Sequence, residues 1–140
     1  MRHLLPIYIP ATFRRNKSVE QFLGKSPIDA RYIRHTELRP RHGAVEVWVC
    51  DVEDVGYENF ADLYALSSTD PDELDVSAAV FPDAASAVSY ASEFLAADPD
   101  RWTNLGIAES DYLDHLRAGR PAHWPLQPCR QATGIANEST

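Results

Sequence analysis

His35 and Glu37 are the best-placed pair in this chain for acid–base chemistry. Residues two apart in an extended strand share a face, and an imidazole titrating near neutrality is the usual side chain for moving protons. Trp48 on a neighbouring strand completes a candidate ligand or enzyme site. A partly buried structural histidine accounts for the same residues and is the stronger reading. The other histidines, at 3, 42, 115 and 123, form no His-x-x-x-His pair, and only Cys50 and Cys129 offer sulfur, so no metal site is expected. His115, one turn after Asp111, reads as half of a surface ion pair.

Gly24-Lys25-Ser26 has the ending of a phosphate-binding loop, but Val19 stands where the first glycine is required. The run Asp51-Val52-Glu53-Asp54-Val55-Gly56 resembles a calcium loop, yet Val55 fills its fifth place and Asp62 its twelfth. A solvated acidic loop accounts for it better. No Gly-x-Ser-x-Gly elbow is present, and carboxylates are too numerous for any pair to be diagnostic. No cofactor is expected, and no catalytic residue is assigned.

The charge layout is more informative. The formal net charge is −8. Residues 1–43 hold nine Lys and Arg against three acids, whereas residues 44–100 hold fourteen acids and no Lys, Arg or His. Pairing between successive helical turns cannot neutralise such a span. Either the basic third folds over it or a negative surface faces solvent. Such a surface steers basic partners, while nucleic acid is disfavoured as a partner for the body as a whole. Phe13 and the run Arg14-Arg15-Asn16-Lys17, extended by Arg31, Arg34, Arg39 and Arg41, form the one patch suited to phosphates.

The elements that must position these residues follow from periodicity and punctuation. Leu4–Ile9 reads as a short apolar strand that Pro6 and Pro10 confine to an edge or to strand ends, and Ser18–Gln21 as a capping box opening a helical turn. Residues 31–38 and 44–50 alternate as a hairpin around Pro40-Arg41-His42-Gly43. Val45, Val47 and Val49 lie on one face, and Glu46, Trp48 and Cys50 on a partly covered second face. Asn59–Ser67 reads as a strand, turning at Thr69–Asp72 into another over Val76–Phe81. Asp83 caps a helix whose stripe is Ala84, Ala87, Val88, Ala91, Phe94 and Leu95, with Asp98-Pro99-Asp100 as its stop. Ser110 is expected to cap a second helix over Asp111–Ala118, closed by Gly119.

Strands first and helices last predict an α+β fold, a mainly antiparallel sheet of four to five strands with two C-terminal helices packed on one face. The chain divides into a single domain over 1–119 and a proline-containing, partly loose tail over 120–140. The longest apolar run is far short of the ~20 residues of a membrane helix, so no membrane partner is expected and the chain reads as cytoplasmic.

In size, acidity and outline the chain resembles small bacterial proteins that neutralise a toxin. That resemblance implies a non-enzymatic, immunity- or antitoxin-like domain binding a basic, nuclease-type partner. The expected contact surface is Asp51, Glu53, Asp54, Glu58, Asp62, Asp70, Asp72 and Glu73, with Tyr57, Tyr64 and Trp102 as aromatic anchors. The alternatives are the site around His35, Glu37 and Trp48, and an assembly subunit docking through His123-Trp124-Pro125.

Overall fold

The structure, a computed structural model, describes residues 2–66 and 77–125. Its strands are β1 (Val19–Lys25), β2 (Tyr32–Arg41), β3 (Ala44–Glu53), β4 (Ala79–Phe81) and β5 (Thr103–Asn104). They form one antiparallel sheet in the order β4-β3-β2-β1-β5. Three α-helices complete it: α1 (Ile9–Arg14), α2 (Ala84–Phe94) and α3 (Ala108–Arg117). This is the α+β architecture that the sequence predicts.

The β2–β3 hairpin is the spine. Arg41 pairs with Ala44, so His42-Gly43 is a two-residue turn, and φ is 53° at His42 and 81° at Gly43. Positive φ at both central residues is the mirror-image turn whose twist matches that of the strands. The register then sets the faces: Leu38, Val45 and Val47 point one way, while Ile33, His35, Glu37, Trp48 and Val52 point the other.

α2 covers the first face. Its Ala87 and Ala91 pack with Ile9, Val19, Leu38, Val45, Val47 and Trp102. Asp83 caps it, its carboxylate accepting from Ser86 N–H at 2.7 Å. α3 covers the second face, where Ala108 and Tyr112 join Phe22, Ile33, Val52 and Leu63. The C-terminal helices therefore divide between the faces instead of sharing one. β5, on the sheet edge beyond β1, carries the chain around from one side to the other.

Several local expectations are corrected. Leu4–Ile9 is not a strand: Pro6–Tyr8 forms a 3-10 turn running into α1, with Pro6 and Pro10 in first-turn positions where the missing N–H costs nothing. Ser18–Gln21 does not open a helix. Val19 and Glu20 are buried in β1, and Gly24, at φ 90°, follows a bulge that continues the strand. A side chain at Gly24 would also collide with Trp124, whose Cβ lies 2.6 Å from the position of the added Cβ. Asn59–Ser67 is not a strand within the described residues; a Tyr57–Phe60 bridge and a 3-10 turn at Leu63–Ala65 fold it over the α3 face. Of the expected Val76–Phe81 strand, Ala79–Phe81 forms β4, Ser77 and Ala78 precede it outside the strand, and Val76 lies outside the described residues.

α3 begins at Ala108, so Ser110 lies inside it and is not its cap. Gly119, at φ 88°, closes it as expected. His115 is not a surface residue: it is fully buried, donates from Nε2 to the Pro121 carbonyl at 3.0 Å and meets Phe22 and Trp124 edge-on. Asp111, also fully buried, binds Arg2, His3 and Arg101 and pins the N-terminal segment to α3.

Candidate functional site

Among the described residues, the buried ionisable groups lie on the α3 face. Glu20 and Glu37 are opposite each other on β1 and β2, and both are buried. The Tyr64 hydroxyl donates to Glu20 Oε1 at 2.6 Å and lies 3.3 Å from Glu37 Oε1. The second Glu20 oxygen accepts the Gly106 and Ala108 N–H groups at 2.7 and 3.0 Å. A strand carboxylate thus caps α3, whose own N-cap residue, Ile107, has no capping side chain. Burial pushes the Glu20 carboxyl above its ordinary range, against the opposing pull of these hydrogen bonds. Burial and the two carboxylates push the Tyr64 hydroxyl up as well, so it stays a donor.

Glu37 is forked by Arg39 at 2.9 and 3.2 Å, and the Arg39 guanidinium lies 4.0 Å from the centre of the Trp48 ring. His35 is 2% exposed and meets Tyr64 edge-on at 5.0 Å. Burial lowers its pKa to about 4, against the pull of Glu37, Asp51 and Asp62, so the imidazole is neutral at pH 7. Its Nδ1 has no hydrogen-bond partner. The structure therefore brings His35, Glu37 and Trp48 onto one face. It also seals the imidazole under Tyr64 and gives the carboxylate to an arginine.

The expected contact residues fall into four groups. Asp51 and Asp54 are structural: Arg34 forks Asp51 at 2.7 and 2.9 Å, and Asp54 takes Arg120, Lys25 at 3.4 Å and the Tyr112 hydroxyl at 2.8 Å. Asp51 sits on the α2 side of the sheet with Arg34 and Asp54 on the α3 side, which separates the oxygens that a calcium loop would bring together. Trp102 is no anchor; it is fully buried in the core of the α2 face. The remaining described residues lie on the loop 54–66 or at its root. Glu53 and Glu58 are exposed, Asp62 caps the 3-10 turn through Tyr64 N–H, and Tyr57 and Tyr64 are 60% and 49% exposed. Asp70, Asp72 and Glu73 lie outside the described residues.

The loop is held firmly. Arg120 reaches the Asp54 and Gly56 carbonyls, Tyr112 Oη accepts Gly56 N–H at 2.9 Å, and Arg117 forks Glu58 at 2.8 and 2.9 Å. Sequence reading missed Val55 and Phe60, which are exposed beside Tyr57; the Tyr57 and Phe60 rings are 5.9 Å apart. Two apolar residues inside an acidic, aperiodic stretch were the available signal. Glu20 was missed for another reason: the Gly106 and Ala108 N–H groups it caps are more than eighty positions away.

Trp124 packs onto the α3 face between Phe22 and His115, so the tail's main apolar side chain is used within the chain. Among the described residues, no three His, Cys, Asp or Glu side chains are placed to hold a metal, and no helix is long and apolar enough to cross a membrane. No family model, curated protein or solved structure matches this chain.

Proposed function

We propose that this chain is a non-enzymatic binding domain that engages a basic protein through the loop 54–66, as a neutraliser of a nuclease-type toxin would. The observation that carries the reading is the composition of that loop's exposed surface. Val55, Tyr57, Phe60 and Tyr64 stand among Glu53, Glu58 and Asp62 on a backbone clamped by Tyr112 and Arg120. Aromatic side chains are the usual anchors of protein interfaces, and surrounding carboxylates speed encounter with a cationic partner. A loop already held in place loses little freedom on binding. A cytoplasmic location belongs to the same proposal.

The test is parallel affinity capture at low salt with the native chain and a Tyr57→Ala/Glu53→Lys variant, since Glu53 is exposed and Glu58 helps hold the loop through Arg117. A basic protein retained by the native chain, lost from the variant and released by salt supports the reading. Its association rate should fall about tenfold or more as salt screens the charges. Equal retention by both chains, or association indifferent to salt, overturns it. Reversing Asp51 or Asp54 is no test, because both hold the fold together.

A further inference from the structure

We infer that the N-terminal segment Leu5–Lys17 adsorbs to an anionic membrane surface, independently of the loop 54–66. Two observations on this segment stand apart from the rest of the molecule. The first concerns cations. Nine of the twelve described Lys and Arg residues lie within 4.0 Å of a carboxylate oxygen. The three that do not are Arg14, Arg15 and Lys17, consecutive in the chain but for Asn16 and all exposed. In a chain of net charge −8, three neighbouring cations without a carboxylate are a segregated patch. One cation at the end of a six-residue helix suits the helix dipole; three exceed that need.

The second observation is apolar. Leu5, Ile7 and Tyr8 are 48%, 75% and 53% exposed, one turn before α1. Ile9 and Thr12 turn into the core, so the opposite side of the segment faces solvent. The 3-10 turn Pro6–Tyr8 runs directly into α1, so these exposed apolar residues open the short segment that ends in Arg14 and Arg15. An apolar cleft of 420 Å³ runs between the segment and α2, lined by Pro6, Ile9, Pro10 and Val88. No acidic residue lines it.

Exposed aliphatic side chains followed by a cluster of exposed cations within one short segment match a bilayer surface. The cations meet anionic headgroups, and Ile7 and Leu5 enter the boundary beneath them. Tyr8 has the amphipathic ring that favours that depth. Phosphodiester recognition would use the same cations and leave Leu5 and Ile7 without a partner. Arg2 and His3 on Asp111, with Leu4 N–H on the Trp102 carbonyl at 2.7 Å, fix the segment to the body. Adsorption therefore needs no prior ordering.

The experiment is co-sedimentation of the full chain with vesicles at low salt, of equal phosphatidylserine and phosphatidylcholine or of phosphatidylcholine alone. The native chain should partition onto the anionic vesicles only. Each cation near such a surface strengthens binding about fivefold, so Arg14→Ala/Arg15→Ala/Lys17→Ala should weaken it about a hundredfold. Ile7→Ser should weaken it by a smaller factor, and Arg31→Ala, which removes an exposed cation already paired with Asp29, should not. All these positions are exposed, and an unchanged melting temperature confirms the fold. Absence of partitioning, or equal binding to both vesicles, overturns the inference. So does capture of a single-stranded oligonucleotide that depends on the cations and ignores Ile7→Ser. None of these variants touches the loop 54–66, so this inference and the proposed function fail separately.

Discussion

The two faces of the sheet solve the same packing problem with different chemistry. The α2 face is closed by aliphatic strand residues against Ala87 and Ala91, with Trp102 filling the corner. The α3 face has an apolar centre around Phe22 and Tyr112, surrounded by buried ionisable groups: Glu20, Glu37, His35 and His115. The first face is non-directional, stabilised by area and volume. The second is held by directed bonds between residues distant in sequence, and its stability depends on protonation. It also carries the loop proposed to meet a partner. One sheet thus separates a side closed mainly by apolar packing, with the Arg34–Asp51 pair on it, from a side that buries several ionisable groups.

The largest expected effect tests the α2 face. Trp102→Ala removes the largest fully buried side chain and should cost about 3–5 kcal/mol, the same at pH 7 and pH 5. Trp102→Phe should cost much less, because the indole N–H has no hydrogen-bond partner to lose. Urea denaturation at both pH values measures these changes. A Trp102→Ala loss that varied strongly with pH would mean that the faces are electrostatically coupled, and the comparison would fail.

A smaller effect tests the α3 face. The ordinary His pKa is 6.5, and burial lowers that of His35 to about 4 in the folded chain. At neutral pH both states hold a neutral imidazole. Below about pH 6.5 the unfolded chain takes up a proton that the folded chain refuses, so stability falls as pH falls. By pH 5 the loss is about 2 kcal/mol. His115, also lowered by burial, adds to it. Glu20 opposes it: its raised pKa makes the folded chain the better proton acceptor, so its share of stability rises with acid. His35→Leu should flatten the decline between pH 7 and pH 5 whatever it does to the value at pH 7. An unchanged slope would show that His35 is not its source.

The difference between the faces also explains what the sequence reveals. The alternation of Val45, Val47 and Val49, the hairpin turn at His42-Gly43 and the Asp83-capped stripe of α2 are periodic or local signals, and each appears in the fold except at Phe94, which the stripe included and which is 65% exposed. The segments misread are those whose structure is decided elsewhere. Pro6 and Pro10 suit a strand edge and a helix start equally well, and docking on Trp102 and Asp111 selects the helix. Ser18–Gln21 has the spacing of a helix cap, but pairing with β2 and β5 makes it strand. Glu20 does cap a helix, yet the helix is α3. The proposed contact surface was half legible: acidity and tyrosines marked the loop, while the ion pairs that bury Asp51 and Asp54 depend on Arg34 and Arg120, far off in sequence.

The smallest effect joins the α3 face to its loop. Tyr112 Oη accepts from Gly56 N–H and donates to Asp54, so one hydroxyl holds the loop at its root. Tyr112→Phe keeps the ring against Phe22 and leaves a buried N–H without an acceptor, at a cost of about 1–2 kcal/mol. The loss should be local. Amide exchange at Gly56 and through residues 57–60 should quicken, while the β2–β3 hairpin keeps its protection. A loop loosened in this way must be ordered again on binding, so affinity for the partner should fall even though Tyr112 is buried beneath the contact surface. Uniform acceleration of exchange across the sheet would instead make Tyr112 a plain core residue. The loop would then owe its shape to Arg120 and Arg117 alone.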